Sequence, residues 1–81
     1  MLTTSALIEL NLHGMNMFQA RIALDAALRS SNGVYRIRAI HGFHMGCALR
    51  DMIRTEYASH PLVKRIITQE PGTTVLVLRE L

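Results

Sequence analysis

Apolar and polar positions alternate over "ALIELNL" (Ala6–Leu12), with Ile8, Leu10 and Leu12 on one face and Leu7, Glu9 and Asn11 on the other. A period of two predicts a strand with one buried face. The strand ends at His13-Gly14. Asn16 followed by Gln19 has the form of a capping box and predicts a helix from Met17 to about Ser30. Phe18, Ile22, Leu24, Ala27 and Leu28 would supply its apolar stripe, with Arg21, Asp25 and Arg29 on the solvated side. "SSNG" (Ser30–Gly33) stops it. "VYRIRAI" (Val34–Ile40) alternates again, with Tyr35, Ile37 and Ala39 inward and Arg36 and Arg38 outward, and ends at His41-Gly42. A second helix is expected from about Gly46 to Ser59, burying Leu49, Met52, Ile53 and Tyr57 and stopping before Pro61. "VKRIITQ" (Val63–Gln69) and "TTVLVLREL" (Thr73–Leu81) read as two strands of a hairpin. Pro71 and Gly72 suit the two central positions of a type II turn.

The order is βαβαββ. Strand–helix–strand crossovers are right-handed in nearly all cases, so two advances in one direction place both helices on the same face. This predicts an α/β (α+β) two-layer sandwich: a four-stranded mixed sheet with both helices on one side and the other side open. Val75, Leu76, Val77 and Leu78 are apolar on both parities, which suits a central last strand. The open face would carry Glu9, Asn11, Arg36 and Arg38 beside the valines.

Composition narrows the class without choosing a function. Eighty-one residues, 49% hydrophobic and 19% charged, suit one small globular domain spanning residues 1–81. No apolar run is long enough to cross a membrane, and "MLTTSALIEL" lacks the features of a signal peptide. The single cysteine, Cys47, leaves no internal disulfide and fits a reducing cytoplasm. A net charge of +3 permits a polyanionic partner without requiring one.

The two His-Gly corners carry the candidate chemistry. In parallel α/β sheets ligands bind beyond the carboxyl ends of the strands. His13 and His41 end the first two strands, and neighbouring strand axes lie about 5 Å apart. Two imidazoles could then flank one ligand group, and imidazole exchanges protons near neutral pH. "HGFHMG" (His41–Gly46) adds Gly42 and Gly46, which allow close backbone approach, at the entry to a helix whose first N–H groups favour an anion. His44 and Arg50 would be within reach of a phosphate there, and Arg36 and Arg38 offer a cationic strip. The structural alternatives are plain: a Gly after a strand makes a turn, Cys47 packs, the arginines form a solvated face, and His60 before Pro61 stops a helix. A divalent metal held by His41, His44 and His13 is conceivable, but no carboxylate or cysteine cluster completes such a site.

At these residues the sequence resembles the Smr (small MutS-related) domain family. Its first motif, Leu-Asp-Leu-His-Gly, is matched by "LNLHG" (Leu10–Gly14). Its second, an Ile-His-Gly loop leading into a helix that opens Leu-Arg, is matched by "IHGFHMGCALR" (Ile40–Arg50). "HPLVK" (His60–Lys64) and "TVLVL" (Thr74–Leu78) resemble the family's end. The resemblance implies a fold like the C-terminal domain of bacterial translation initiation factor three, its four strands in spatial order first, second, fourth, third. It also implies a stand-alone domain acting on DNA or RNA, often as a nicking or cleaving endonuclease. His13 and His41 would hold the catalytic positions. Asn11, Gly14, Arg38, Gly42, Phe43, His44, Gly46 and Arg50 would contact nucleic acid. Asn11 stands where the family commonly has Asp, removing a carboxylate that could serve as base or metal ligand. Phe43 and His44 replace a Lys-Gly pair, exchanging a cation for a ring able to stack on a base. The loop is also one residue longer. Three functions follow as expectations: an endonuclease, a non-catalytic nucleic-acid-binding module, and an interaction domain pairing through its open sheet face.

Overall fold

The computed structural model describes residues 2–3, 7–42 and 47–79. Its elements are β1 (Leu2–Thr3), β2 (Leu7–Asn11), α1 (Met17–Arg29), β3 (Arg36–Ile40), α2 (Ala48–Glu56), β4 (Arg65–Glu70) and β5 (Thr73–Val77). The sheet order is β1-β2-β3-β5-β4. β2 and β3 pair in parallel, with Ile8 opposite Ile37 and Asn11 opposite Ile40; the other pairings are antiparallel. The expected four-stranded mixed sheet is present, with its last strand inserted centrally, and β1 adds a two-residue edge beside β2. All five residues of β5 are buried, Val75, Leu76 and Val77 as their apolar character on both parities suggests, and with them the polar Thr73 and Thr74.

One core cluster joins Ile8, Leu10 and Leu12 to Ile37, Ala39 and Leu76 in the sheet, and to Leu24, Ala27, Leu28, Met52 and Ile53 in the helices. Both helices therefore cover one face. The opposite face carries Glu9, Arg36, Arg38, Val75 and Val77, since directly paired residues share a face.

α1 starts where the sequence predicts: Asn16 Oδ1 accepts from Gln19 N–H at 2.8 Å, and Gln19 Oε1 accepts from Asn16 N–H at 3.0 Å. Its rotation about its axis differs from the expectation. Phe18 and Ile22, assigned to the buried stripe, are 69% and 54% exposed. Arg21 and Asp25, assigned to solvent, face α2 instead. Arg21 grips Glu56 through Nε–Oε1 at 2.8 Å and Nη2–Oε2 at 2.7 Å, and the buried Tyr57 donates to Asp25 Oδ1 at 2.8 Å. Burial, followed by the Asp25 hydrogen bond, pushes the Tyr57 hydroxyl well above the usual tyrosine range. Small Ala20 and Ala27 bring α1 close to the sheet and, with Leu24 and Leu28, complete its buried side.

Two further expectations are corrected. α2 begins at Ala48 with Cys47 as N-cap and ends at Glu56, shorter than the apolar pattern suggested; Gly46 lies outside the described residues. The turn between β4 and β5 is not type II, because Gly72 lacks the positive φ that its second central position demands. A register shift between Thr68 and Glu70 instead sets Glu70 opposite Thr73.

Candidate nucleic-acid interface

Parallel pairing of β2 with β3 brings the two His-Gly corners to one sheet edge. The corner after β2 is built locally. Leu12 N–H donates to Ile40 O at 2.7 Å, and Asn11 Oδ1 accepts from His13 N–H at 2.9 Å, an Asx turn. Only the side-chain carbonyl oxygen is needed for that bond. Asn in place of Asp therefore keeps the turn, and it exchanges a negative charge for an amide donor. Gly14 follows at φ +85° with open space around it, so it answers a backbone need rather than a packing one. Gly14 N–H makes no hydrogen bond among the described residues.

At the second corner Gly42 has φ +76°, and a Cβ built there would stand 2.5 Å from His13 Cδ2. The His13 imidazole therefore lies directly on the Gly42 backbone, and its outer side is exposed. This contact sets a side chain of the first motif on the backbone of the second. His41 N–H and Gly42 N–H both donate to Gly72 O, at 2.9 and 3.0 Å, which fastens the corner to the β4–β5 turn. The Gly42 amide is thus committed within the fold.

The two histidines differ in environment. His13 is exposed, whereas His41 is 6% exposed with both ring nitrogens engaged. Its Nδ1 lies 2.8 Å from Gly42 O and its Nε2 lies 2.9 Å from Thr74 Oγ1. A carbonyl only accepts, so Nδ1 carries the proton, and a neutral ring accepts from the Thr74 hydroxyl at Nε2. His41 thereby ties its own corner to the core of β5. Thr74, fully buried, is the partner that sequence reading missed; only its place in an otherwise apolar run hinted at it.

This bond yields a stability prediction. Thr74→Val is expected to destabilise by about 1–2 kcal/mol by leaving a buried ring nitrogen unpaired. His41→Ala is expected to cost more, about 2–4 kcal/mol, because it opens a cavity as well. In urea unfolding the double variant should lose less than the sum; strict additivity would show that the two side chains are uncoupled.

The arginines are placed differently from one another. Arg38 projects on the open face, away from the helix layer. Its Nε donates to Gln69 Oε1 at 2.6 Å, its Nη1 meets Glu9 Oε2 at 2.6 Å and its Nη2 meets Glu70 Oε1 at 2.7 Å. Two carboxylates answer its charge within the fold, and one amide oxygen takes its remaining bond. Among the described residues Arg50, in the first turn of α2, pairs only with Asp51, at 3.1 Å, and it remains partly exposed. Hydrogen bonds from Cys47, then Arg50, hold the Asp51 carboxyl below the usual range. Phe43, His44 and Gly46 lie outside the described residues. His60 sits after α2, stacked on Tyr57 at 5.9 Å with its Nδ1 accepting from Leu62 N–H, consistent with a helix-stop role. No group of three His, Cys, Asp or Glu side chains converges to hold a metal among the described residues. A divalent site on His41 would also have to displace one of its two ring hydrogen bonds. No helix is long and apolar enough to cross a membrane among the described residues.

Beside His13 an open groove of about 540 Å³ is lined by His13, Gly14, Met15, Gln19, Ile22 and Ala23. It leads from the histidine edge onto α1.

Comparison with known proteins accords with this fold. The sequence model of the Smr domain matches residues 10–76, a span that includes both His-Gly corners. The fold is similar to the crystal structure of the Smr domain of Thermus thermophilus MutS2, with a TM-score of 0.80, 29% identity, and 90% of this chain and 99% of that chain covered. No functionally curated protein matches the sequence. With both motifs and the intervening fold inside the matched span, the chain belongs to the Smr domain family.

Proposed function

We propose that this Smr domain binds nucleic acid at the edge formed by its two His-Gly corners and cleaves phosphodiester bonds there. The observation that carries the reading is the seat of the exposed His13 ring on Gly42, where two parallel strands end. His13 then acts on the phosphodiester, taking a proton from the attacking water or 2′-hydroxyl, or giving one to the leaving oxygen. The uncommitted Gly14 N–H donates to a phosphate oxygen, and Asn11 fixes the corner that presents both. Arg50 adds positive charge at the start of α2. Phe43, His44 and Gly46, which join Gly42 to Cys47 in the sequence, complete the interface. His41, sealed between Gly42 O and Thr74, serves the reaction by holding the seat of His13.

A specific observation favours a second reading, a binding module without cleavage. Chemistry by two free imidazoles lacks its second member, because both nitrogens of His41 are engaged. One assay separates the readings: incubation of the protein with supercoiled plasmid and with structured RNA, with and without divalent metal. The proposal predicts nicked plasmid or cut RNA. Ends bearing a 2′,3′-cyclic phosphate would identify the 2′-hydroxyl as nucleophile, and hydrolysed ends would identify water. Binding without cleavage would establish the module, and absence of binding at low salt would defeat both.

A further inference from the structure

We infer that the outer face of α1 is a stacking track for unpaired nucleotides, so that the strand handled at His13 is single-stranded or locally unpaired. This rests on the nucleic-acid reading above and goes beyond it by naming the form of the substrate. At 100° per residue, Phe18, Ile22, Asp25 and Arg29 fall within roughly 60° of one another around the helix axis. They form one outward stripe, with Phe18 69% and Ile22 54% exposed. The exposure is built into the packing. The bidentate Arg21–Glu56 pair and the Tyr57–Asp25 hydrogen bond draw the Arg21 and Asp25 side chains toward α2 and the residue that follows it, which fixes the rotation that turns Phe18 outward.

The stripe is continuous with the histidine edge. Its groove is lined by His13 and Gly14 at one end and by Ile22 on α1, and its volume of about 540 Å³ lies in the range of small-ligand pockets, about 300–1,000 Å³. Gln19 spends its Oε1 on the cap and keeps its amide N–H groups for a base edge. The charge of the groove suits a polyanion. Among the described residues no carboxylate lines the groove, and α1 has no acidic residue in its first turn. Asp25, the one acidic residue of α1, lies exposed between Phe18 and Arg29, its carboxylate accepting from Tyr57 and flanked one turn away on either side by Arg21 and Arg29. Arg29 makes no ion pair among the described residues and lies about 16 Å beyond Phe18 along the axis. A base stacked on Phe18 can therefore be followed by a phosphate at Arg29. An exposed phenyl ring offers little to a duplex, whose base faces are already stacked, but binds an unstacked base of any identity.

The test is fluorescence anisotropy with a 12-nucleotide single strand and with the duplex of the same sequence, in both DNA and RNA. The wild-type protein should favour the single strand. Phe18→Ala should weaken single-strand binding at least about fivefold and leave duplex binding unchanged, while Phe18→Trp should retain it. Arg29→Gln should reduce the salt slope for the single strand by about 0.7, the loss of one phosphate contact. Unchanged single-strand affinity in Phe18→Ala, with wild-type binding intact, overturns the track and leaves the histidine-edge reading standing. Dissociation of a wild-type dimer by Phe18→Ala with binding unaltered overturns it too, assigning the stripe to self-association. No binding by the wild type removes both.

Discussion

Replacing His13 by alanine is expected to lower phosphodiester cleavage by roughly 10²- to 10⁴-fold, the usual contribution of a positioned acid or base. The fold should survive. The His13 ring is exposed and lies on a backbone rather than in the core, so the unfolding free energy should change by no more than about 0.5 kcal/mol. A loss of rate without loss of stability is what separates His13 from His41. Removing His41 breaks bonds to Thr74 and Gly42, so any fall in activity there mixes chemistry with a damaged corner. Initial rates on plasmid and RNA, measured beside urea unfolding of the same preparations, check the point. Equal cleavage by wild type and His13→Ala would remove His13 from the reaction.

Gly42→Ala should combine a structural and a functional loss. Alanine at φ +76° is strained by about 1 kcal/mol. Its Cβ would also meet His13 Cδ2 at 2.5 Å, so the ring must leave its seat. The two effects together should destabilise by about 2–3 kcal/mol and displace the group on which cleavage depends. Gly14→Ala separates them. Gly14 has a similar φ of +85° but nothing within 4 Å of its Cβ, so only the strain of about 1 kcal/mol should appear. In a His13→Ala background, Gly42→Ala should fall to that smaller figure, because its obstacle is gone. If Gly42→Ala costs the same with and without His13, the ring does not rest on that glycine.

The sequence reveals most where a property is local. Alternation placed Ile8, Leu10, Leu12, Ile37 and Ala39 in the core, and Asn16 with Gln19 marked the start of α1. The apolar character of β5 on both parities marked it as central. It fails where a side chain is satisfied by a distant element. Nothing in the periodicity of α1 indicates that Arg21 and Asp25 find partners on α2, so Phe18 and Ile22 read as core. Likewise Arg38 reads as a free cation because Glu9, Gln69 and Glu70 converge on it only after the sheet is assembled. The candidate site divides in the same way. Two matched His-Gly corners are visible in the chain, but their inequality is not. It arises from Thr74, 33 residues after His41, which takes one ring nitrogen out of service.

In the proposed function, nucleic acid meets this fold at the histidine edge. Titration of the isotopically labelled protein with a single-stranded oligonucleotide, followed by backbone amide chemical shifts, tests it most directly. Shifts are expected to concentrate at Asn11–Gly14 and His41–Gly42 and to extend along α1 through Phe18 and Ile22. Shifts confined to the open sheet face, at Arg36, Arg38, Val75 and Val77, would contradict it.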